Sequence, residues 1–228
     1  MPESLKKLAA CAAVKYVTDG MVVGLGTGST AEFAIRALGK RCASENIAIK
    51  CVPTSEASRH LGIEVGLTIT SLDEEPAINL TIDGADEVAA DLNLIKGLGG
   101  ALLREKVVAS ATTQQIIIVD PSKVVGRLGT RSPLPVEVIP FASPLVQRRL
   151  SEISSSTQIR CTTSGHSYTT DNGNFIIDCT FQHGIDDPVV LEKVIDEIPG
   201  VVANGLFVGL TDLVIVGQKN GTCQEMRI

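Results

Sequence analysis

Four short runs of apolar, β-forming residues, MVVGLG, IAIKCVP, NLTIDGA and QIIIVD, recur through the first half of the chain with helical patterns between them. MVVGLG, IAIKCVP and QIIIVD do not alternate polar with apolar residues. Runs of that kind suit strands covered on both faces. Strand–helix–strand repetition at this pitch predicts an α/β fold, an open and mainly parallel sheet with flanking helices. TAEFAIRALGKRC, SEASRHLGIE and GALLREKVVASA are the intervening helices. A further helix opens the chain, with Leu5, Leu8, Ala9, Ala12 and Tyr16 at helical spacing and Ser4 as its N-cap.

The character changes near Arg131. SPLPVEVIPF carries three prolines and an alternating V-E-V, and a helical stretch follows around Pro144–Ile153. QIRCTTS and NFIIDCTF flank the polar turn TTDNGN and predict a hairpin; VVLEKVIDEIPG predicts a helix. LFVGLTDLVIVGQ then returns to the apolar strand style of the first half. The expected organisation is an α/β domain over 1–130 and 205–228 with a smaller α+β domain, 131–204, inserted in it.

Composition excludes several classes. With 228 residues and 44% hydrophobic content the chain can bury a real core. Aromatic residues make up 3% and Trp is absent, which leaves no stacking platform for single-stranded nucleic acid. A net charge of -6 and a pI of about 5.1 argue against non-specific binding to nucleic acid or to an anionic membrane. The start, MPESLKKLAACAAVKYV, is amphipathic, unlike a secretory leader, and no run of eighteen apolar residues exists, so neither a leader nor a membrane span is expected. The six cysteines form no CxxC pair, which predicts reduced thiols and a cytoplasmic protein, with Cys51 buried at a strand end. His60, His166 and His183 lack metal-ligand spacing, and no metal site is expected.

Three segments carry chemistry. In GLGTGST, Gly24, Gly26 and Gly28 alternate directly before a helix. Bare amides, a helix N-terminus and the hydroxyls of Thr27, Ser29 and Thr30 are what a phosphate needs. The spacing is neither the dinucleotide fingerprint nor a Walker loop, and a tight capped turn is the structural alternative. Thr54 and Ser55 either line the same sheet end or cap the next helix. In IDGADE, Asp83 and Asp86 flank Gly84 and Ala85 beyond an apolar strand, where two carboxylates can divide acid and base work; a solvated turn is the alternative, and Glu87 reads as solvated. In LIKGLGGALLREKVV, Lys96 precedes Gly97, Leu98, Gly99 and Gly100, and Glu105 follows on a helix, either as a base or as an ordinary solvated glutamate. Lys123, after IIIVDPS, is a phosphate contact or a surface lysine.

Taken together, GLGTGSTA at 24–31, VPTSE at 52–56, TIDGADEV at 81–88, DLNLIKGLGGALLREKVV at 91–108, DPSKVV at 120–125, SPLPVEVIPF at 132–141, TDNGN at 170–174 and IPGVVANGLF at 198–207 resemble the A-type ribose-5-phosphate isomerases, in order and over nearly the whole chain. The resemblance implies an α/β domain with a smaller inserted domain, and interconversion of ribose 5-phosphate and ribulose 5-phosphate without cofactor or required metal. It implies Glu105 as the catalytic base, with Asp83, Asp86 and Lys96 serving the sugar oxygens and ring opening. Thr27, Gly28, Ser29, Thr30, Gly84, Ala85, Gly97, Leu98, Gly99, Lys123 and Lys6 are the implied substrate-binding positions, and a homodimer or homotetramer the implied assembly. Leu98 departs from the family's unbroken glycine run. If its side chain turns away from the ligand, the loop amides still serve, and this is the expectation. A non-catalytic sensor of sugar phosphates is the alternative reading of the same anion loop.

Overall fold

The computed structural model describes residues 2–227. In chain order the first elements are α1 (Pro2–Ala13), β1 (Val22–Leu25), α2 (Ser29–Glu45), β2 (Lys50–Pro53), α3 (Glu56–Glu64), β3 (Thr68–Ile69) and β4 (Ile78–Asp83). There follow β5 (Glu87–Val88), β6 (Leu94–Ile95), α4 (Leu102–Ser110), β7 (Thr112–Val119), β8 (Leu134–Val138), α5 (Ser143–Ser151), β9 (Ser156–Ile159) and β10 (Phe175–Thr180). The last are α6 (Pro188–Asp196), β11 (Val201–Asn204), β12 (Leu206–Phe207), β13 (Leu213–Gly217) and β14 (Cys223–Met226). The first helix starts two residues before Ser4, which is a helical residue and not its cap.

The chain divides into two compact units. The first takes the chain up to Ala85, Arg104–Val124 and the segment from Leu210; the second takes Asp86–Leu103 and Val125–Gly209. The smaller unit therefore includes residues 86–103, which the sequence pattern had grouped with the larger one, and the division falls inside α4.

The first unit is built on a seven-stranded sheet of order β14-β13-β7-β4-β1-β2-β3, parallel except for β14. Burial along VVGL in β1 and IIIV in β7 is complete, as two-sided coverage requires. On one face Ala9, Ala13, Leu38, Ile116, Ile118 and Ile215 close a core with α1 and α2. On the other, Val108 of α4 packs with Val22, Val52 and Ile78. The chain runs outward from β1 to β2 and β3, then returns to β4 on the other side of β1. That reversal puts a crevice outside the carboxyl ends of β1 and β4, the usual ligand position in an open α/β sheet.

The second unit holds a four-stranded antiparallel sheet, β11-β8-β10-β9, and a three-stranded one, β12-β6-β5. Val136, Val138, Val146, Leu150, Ile177 and Ile195 form its core. The expected hairpin pairs β9 with β10, but β9 ends at Ile159, and the link back to Phe175 is long. The polar turn within that link has a structural task. Glu137 is fully buried, and its Oε1 accepts from Thr170 Oγ1 and Asn174 Nδ2, both at 2.9 Å.

Candidate active site

Three alternating glycines leave β1, and each has its own reason. A Cβ on Gly24 would lie 2.0 Å from Thr81 Oγ1, and one on Gly26 would lie 2.2 Å from Asp83 Oδ1. Those two glycines thus admit side chains of β4. Gly28, at the N-cap of α2, has open space around it but a φ of 98°, which only glycine adopts without strain.

Asp83 is fully buried at the end of β4, where its Oδ1 accepts from Thr27 N at 3.0 Å and from Gly84 N at 2.7 Å. The Thr27 hydroxyl turns the other way. It meets Thr54 Oγ1 at 2.7 Å, Ser55 Oγ at 2.8 Å and Ser58 Oγ at 3.0 Å. Thr54 Oγ1 donates to Leu25 O, and Ser58 Oγ donates to Gly26 O, both at 2.9 Å. Ser55 caps α3, accepting from Ser58 N at 3.0 Å. Thr27, Thr54 and Ser55 therefore form a hydroxyl cluster behind the turn. The donors left at its mouth are those of Ser29, Thr30 and the first turn of α2. Lys6 Nζ donates to Ser29 Oγ at 2.8 Å, bringing a cation to that helix N-terminus.

Glu105 lies in the first turn of α4 and is 5% exposed. It sits one turn before Val108 on the face that packs against the sheet. Arg104 Nη1 bonds Glu56 Oε1 at 2.9 Å, which fixes this turn beside the start of α3, directly beyond the carboxyl end of β2. The Arg104 guanidinium also holds the Glu56 carboxyl below its ordinary range. Lys123 stands in the short turn after β7, at the same sheet edge, with Asp120 capping that turn through Ser122 N at 2.8 Å.

In the second unit the Lys–Gly turn has its own supports. Lys96 is 2% exposed; its N–H donates to Gly205 O at 2.9 Å, and its ammonium lies 5.4 Å from the Phe207 ring centroid, a cation–π contact. Gly97 and Gly100 have φ of 103° and 82°, whereas Leu98 has no positive φ and is 40% exposed. The leucine thus needs no glycine-like backbone. Asp86 Oδ2 accepts from Leu98 N at 2.9 Å. Asp83 and Asp86, read from sequence as one acidic turn, each brace a different glycine loop. Among the described residues, no group of three or more His, Cys, Asp or Glu could hold a metal ion, and no helix is long and apolar enough to cross a membrane.

A family model described as ribose 5-phosphate isomerase A (phosphoriboisomerase A) matches residues 50–221. Ribose-5-phosphate isomerase A of Roseiflexus castenholzii is 47% identical over 217 residues, covering 95% of this chain and 92% of that protein. The Gloeobacter violaceus protein of the same name is 49% identical over 95% of this chain and 94% of its own. Among solved structures, ribose 5-phosphate isomerase A of Methanocaldococcus jannaschii superposes with a TM-score of 0.94 at 43% identity, over 99% of both chains. A D-ribose-5-phosphate isomerase in complex with phospho-erythronic acid gives 0.96 at 42% identity, over the whole of both chains. The chain belongs to the ribose 5-phosphate isomerase A family. It is an aldose–ketose isomerase, which sets aside the sensor alternative.

Within this isomerase the implied positions fall in two sets. Lys6, Thr27, Gly28, Ser29, Thr30, Asp83, Gly84, Ala85, Glu105 and Lys123 belong to the first unit; Asp86, Lys96, Gly97, Leu98 and Gly99 belong to the second. Glu87, read as solvated, is fully buried and accepts from the backbone N–H groups of Gly129, Arg131 and Ser132 at 2.6 Å each. Its partners lie more than forty residues away, so no local signal announces them. Ser58 and Arg160 also went unread: one is a helix serine, the other a charge at a strand end, and both act on backbone distant in sequence.

Proposed function

We propose that this isomerase interconverts D-ribose 5-phosphate and D-ribulose 5-phosphate by proton transfer through a cis-enediolate, with no cofactor. One observation carries the reading: Glu105, a buried carboxylate, shares the carboxyl edge of the first unit's sheet with the amide-rich turn into α2. The reaction needs both parts, an anion grip for the phosphate and a base for a carbon-bound proton.

The closed furanose opens first. Asp83, Asp86 and Lys96 divide the proton traffic at the ring oxygen and the anomeric hydroxyl. Glu105 then takes the C2 proton, and charge develops on O1 of the enediolate. Lys96 and the amides of the Lys–Gly turn, Gly97 and Gly99, stabilise that charge, while Leu98 N–H ties the turn to Asp86. The protonated Glu105 returns its proton to C1, and the ketose results. Adjacency of C1 and C2 lets one carboxylate serve both steps. Ser29, Thr30, the N-terminus of α2, Lys6 and Lys123 hold the phosphate. A relative solved with phospho-erythronic acid supports a phosphorylated, open-chain acid as ligand here. Six free cysteines support a reducing, cytosolic setting. Phe141, 95% exposed beside exposed Ile139 and Leu145, supports a homo-oligomer.

Replacing Glu105→Gln should lower kcat by about 10²–10⁴-fold, the usual contribution of a positioned base. Calorimetric binding of phospho-erythronic acid should persist. A kcat near that of the parent enzyme would overturn the reading.

A further inference from the structure

Arg160 enters the second unit's glycine turn from the end of β9. Its Nε donates to Asp178 Oδ2 at 2.9 Å and its Nη2 to Asp178 Oδ1, a two-point pair. The remaining arm does something less common. Nη1 donates to Gly97 O at 3.1 Å and to Leu98 O at 2.9 Å, two successive carbonyls of the Lys–Gly turn. Four of the five guanidinium N–H groups are thereby assigned. The side chain is 14% exposed and that of Asp178 22%, so both charges are largely withdrawn from water. Tyr168 closes the other side. Its ring centroid lies 5.9 Å from Arg160 Cζ, and its hydroxyl occupies the space where a Cβ on Gly100 would fall, 2.2 Å away.

The consequence follows from peptide planarity. Among the described residues no peptide is cis, and in a trans peptide the C=O and the next N–H point in opposite directions. With the carbonyls of Gly97 and Leu98 turned onto the guanidinium, the N–H groups of Leu98 and Gly99 must point away from it. Leu98 N–H already does so, meeting the Asp86 carboxylate at 2.9 Å. We propose that Arg160, oriented by Asp178, is a positioning residue of the isomerisation: it keeps the Leu98 N–H on Asp86 and aims the Gly99 amide N–H at the anionic oxygen that forms on the sugar. The inference rests on the reading of that turn given above. Arg160 does not touch the reacting atoms. It acts by holding two peptide planes at one rotation, so the Gly99 donor is in place before charge develops. An amide flip at the Leu98–Gly99 plane would present a carbonyl oxygen to an enediolate, the wrong sign of dipole.

Arg160→Met and Arg160→Lys should lower kcat for ribose 5-phosphate on the order of tenfold to a hundredfold, because the interaction lost belongs to the transition state. KM should stay within about threefold, the phosphate grip being elsewhere. In Arg160→Ala, added guanidinium should restore kcat saturably, whereas sodium chloride at equal ionic strength should not. A purely structural role would lower the thermal midpoint without producing that rescue. The proposal falls if kcat of Arg160→Lys matches the parent, or if KM rises in step with a kcat loss that guanidinium does not repair. Should the Met and Ala variants fail to fold, Arg160→Lys and Asp178→Asn decide on the same kcat-against-KM criterion. Glu105→Gln is run in parallel: an active Glu105→Gln breaks the mechanism itself, while silent Arg160 variants beside an inactive Glu105→Gln break only this inference.

Discussion

The two glycine turns answer one demand, backbone amides held bare for a ligand, with opposite materials. The turn after β1 is backed by neutral hydroxyls, Thr27, Thr54, Ser55 and Ser58, whose protons run to each other and to the carbonyls of Leu25 and Gly26. The charge behind it, Asp83, is spent on two amides of the turns it joins. The turn after Lys96 is strapped by charges: Arg160 with Asp178 on its carbonyls, Asp86 on its amide and the Lys96 ammonium over Phe207. The first turn grows directly from a parallel strand, so sheet register already sets most of its path, and short-range hydroxyls complete it. The second follows the two-residue strand β6 and runs over residues 96–101 to the start of α4, so it has little ladder to define it. Long side chains from another hairpin supply what the ladder does not.

The largest break in this comparison should come from Gly26→Ala. The new methyl would fall 2.5 Å from the backbone Cα of Asp83, not merely on a movable side chain. Strands β1 and β4 would have to separate where the crevice opens. Activity should fall by about a hundredfold or more, with about 1–3 kcal/mol of stability lost to overpacking. By contrast, Gly100→Ala meets the Tyr168 hydroxyl, which can yield, so trimming Tyr168→Leu should recover the steric part of its loss and leave the strain of alanine at a φ of 82°. Equal damage from both variants, measured by urea unfolding and turnover, would erase the distinction between a register-built turn and a strapped one.

The two cores give the next test. Each unit buries one thiol, Cys51 in the first and Cys179 in the second, and burial pushes both up to about 12. Each also exposes one, Cys11 and Cys161. At pH 8 a disulfide reagent should modify Cys11 and Cys161 at least about a hundredfold faster than the buried pair, since the thiolate is the reactive form. A raised folded value means the neutral thiol is favoured by folding. The corresponding stability is complete below the unfolded value near 9 and is lost as pH rises from there toward 12. If the buried thiols become modified at different urea concentrations, the units unfold separately.

The parallel sheet was legible because two-sided burial writes itself into consecutive apolar residues, and the glycine turns were legible as turns. Their reasons were not. Nothing near Gly24 and Gly26 signals that β4 will bring Thr81 and Asp83 against them, since β4 lies more than fifty residues on. Assignment of 86–103 to the second unit depends on β6 pairing with β12, over a hundred residues later, through two-residue strands too short to show a period. Glu87 follows the same logic: an acid in a polar turn is read as solvated until distant amides arrive. Glu105 and Lys96 were legible mainly through motif resemblance, because helical position alone leaves a glutamate ambiguous.

Ser58→Ala sharpens the comparison more gently. It removes the donor to Gly26 O and leaves Ser55 with one partner fewer, while the helix cap from Ser55 to Ser58 N survives. A buried carbonyl short of a donor costs about 1–3 kcal/mol. KM for ribose 5-phosphate should rise a few-fold with kcat nearly kept, the reverse of the Arg160 pattern. A kcat effect without a KM effect would mean that both turns serve the same step.

Leu98→Gly should have the smallest effect and is the most informative about the departure from an unbroken glycine run. Leu98 has ordinary negative φ and its side chain stands partly in solvent, so the backbone gains nothing from glycine there. The N–H to Asp86 and the C=O to Arg160 belong to the main chain and remain available. What glycine adds is freedom, worth about 0.5–1 kcal/mol against order. If Arg160 and Asp86 already hold both peptide planes, kcat should change less than about twofold, because the strap absorbs a penalty of that size. Combined with Arg160→Lys, the same substitution should cost more than the two apart, since the turn then has neither side-chain bulk nor guanidinium to define it. Strict additivity in that double-mutant cycle would show that the turn keeps its shape by local preference alone, and would make the contrast between the two loops one of appearance.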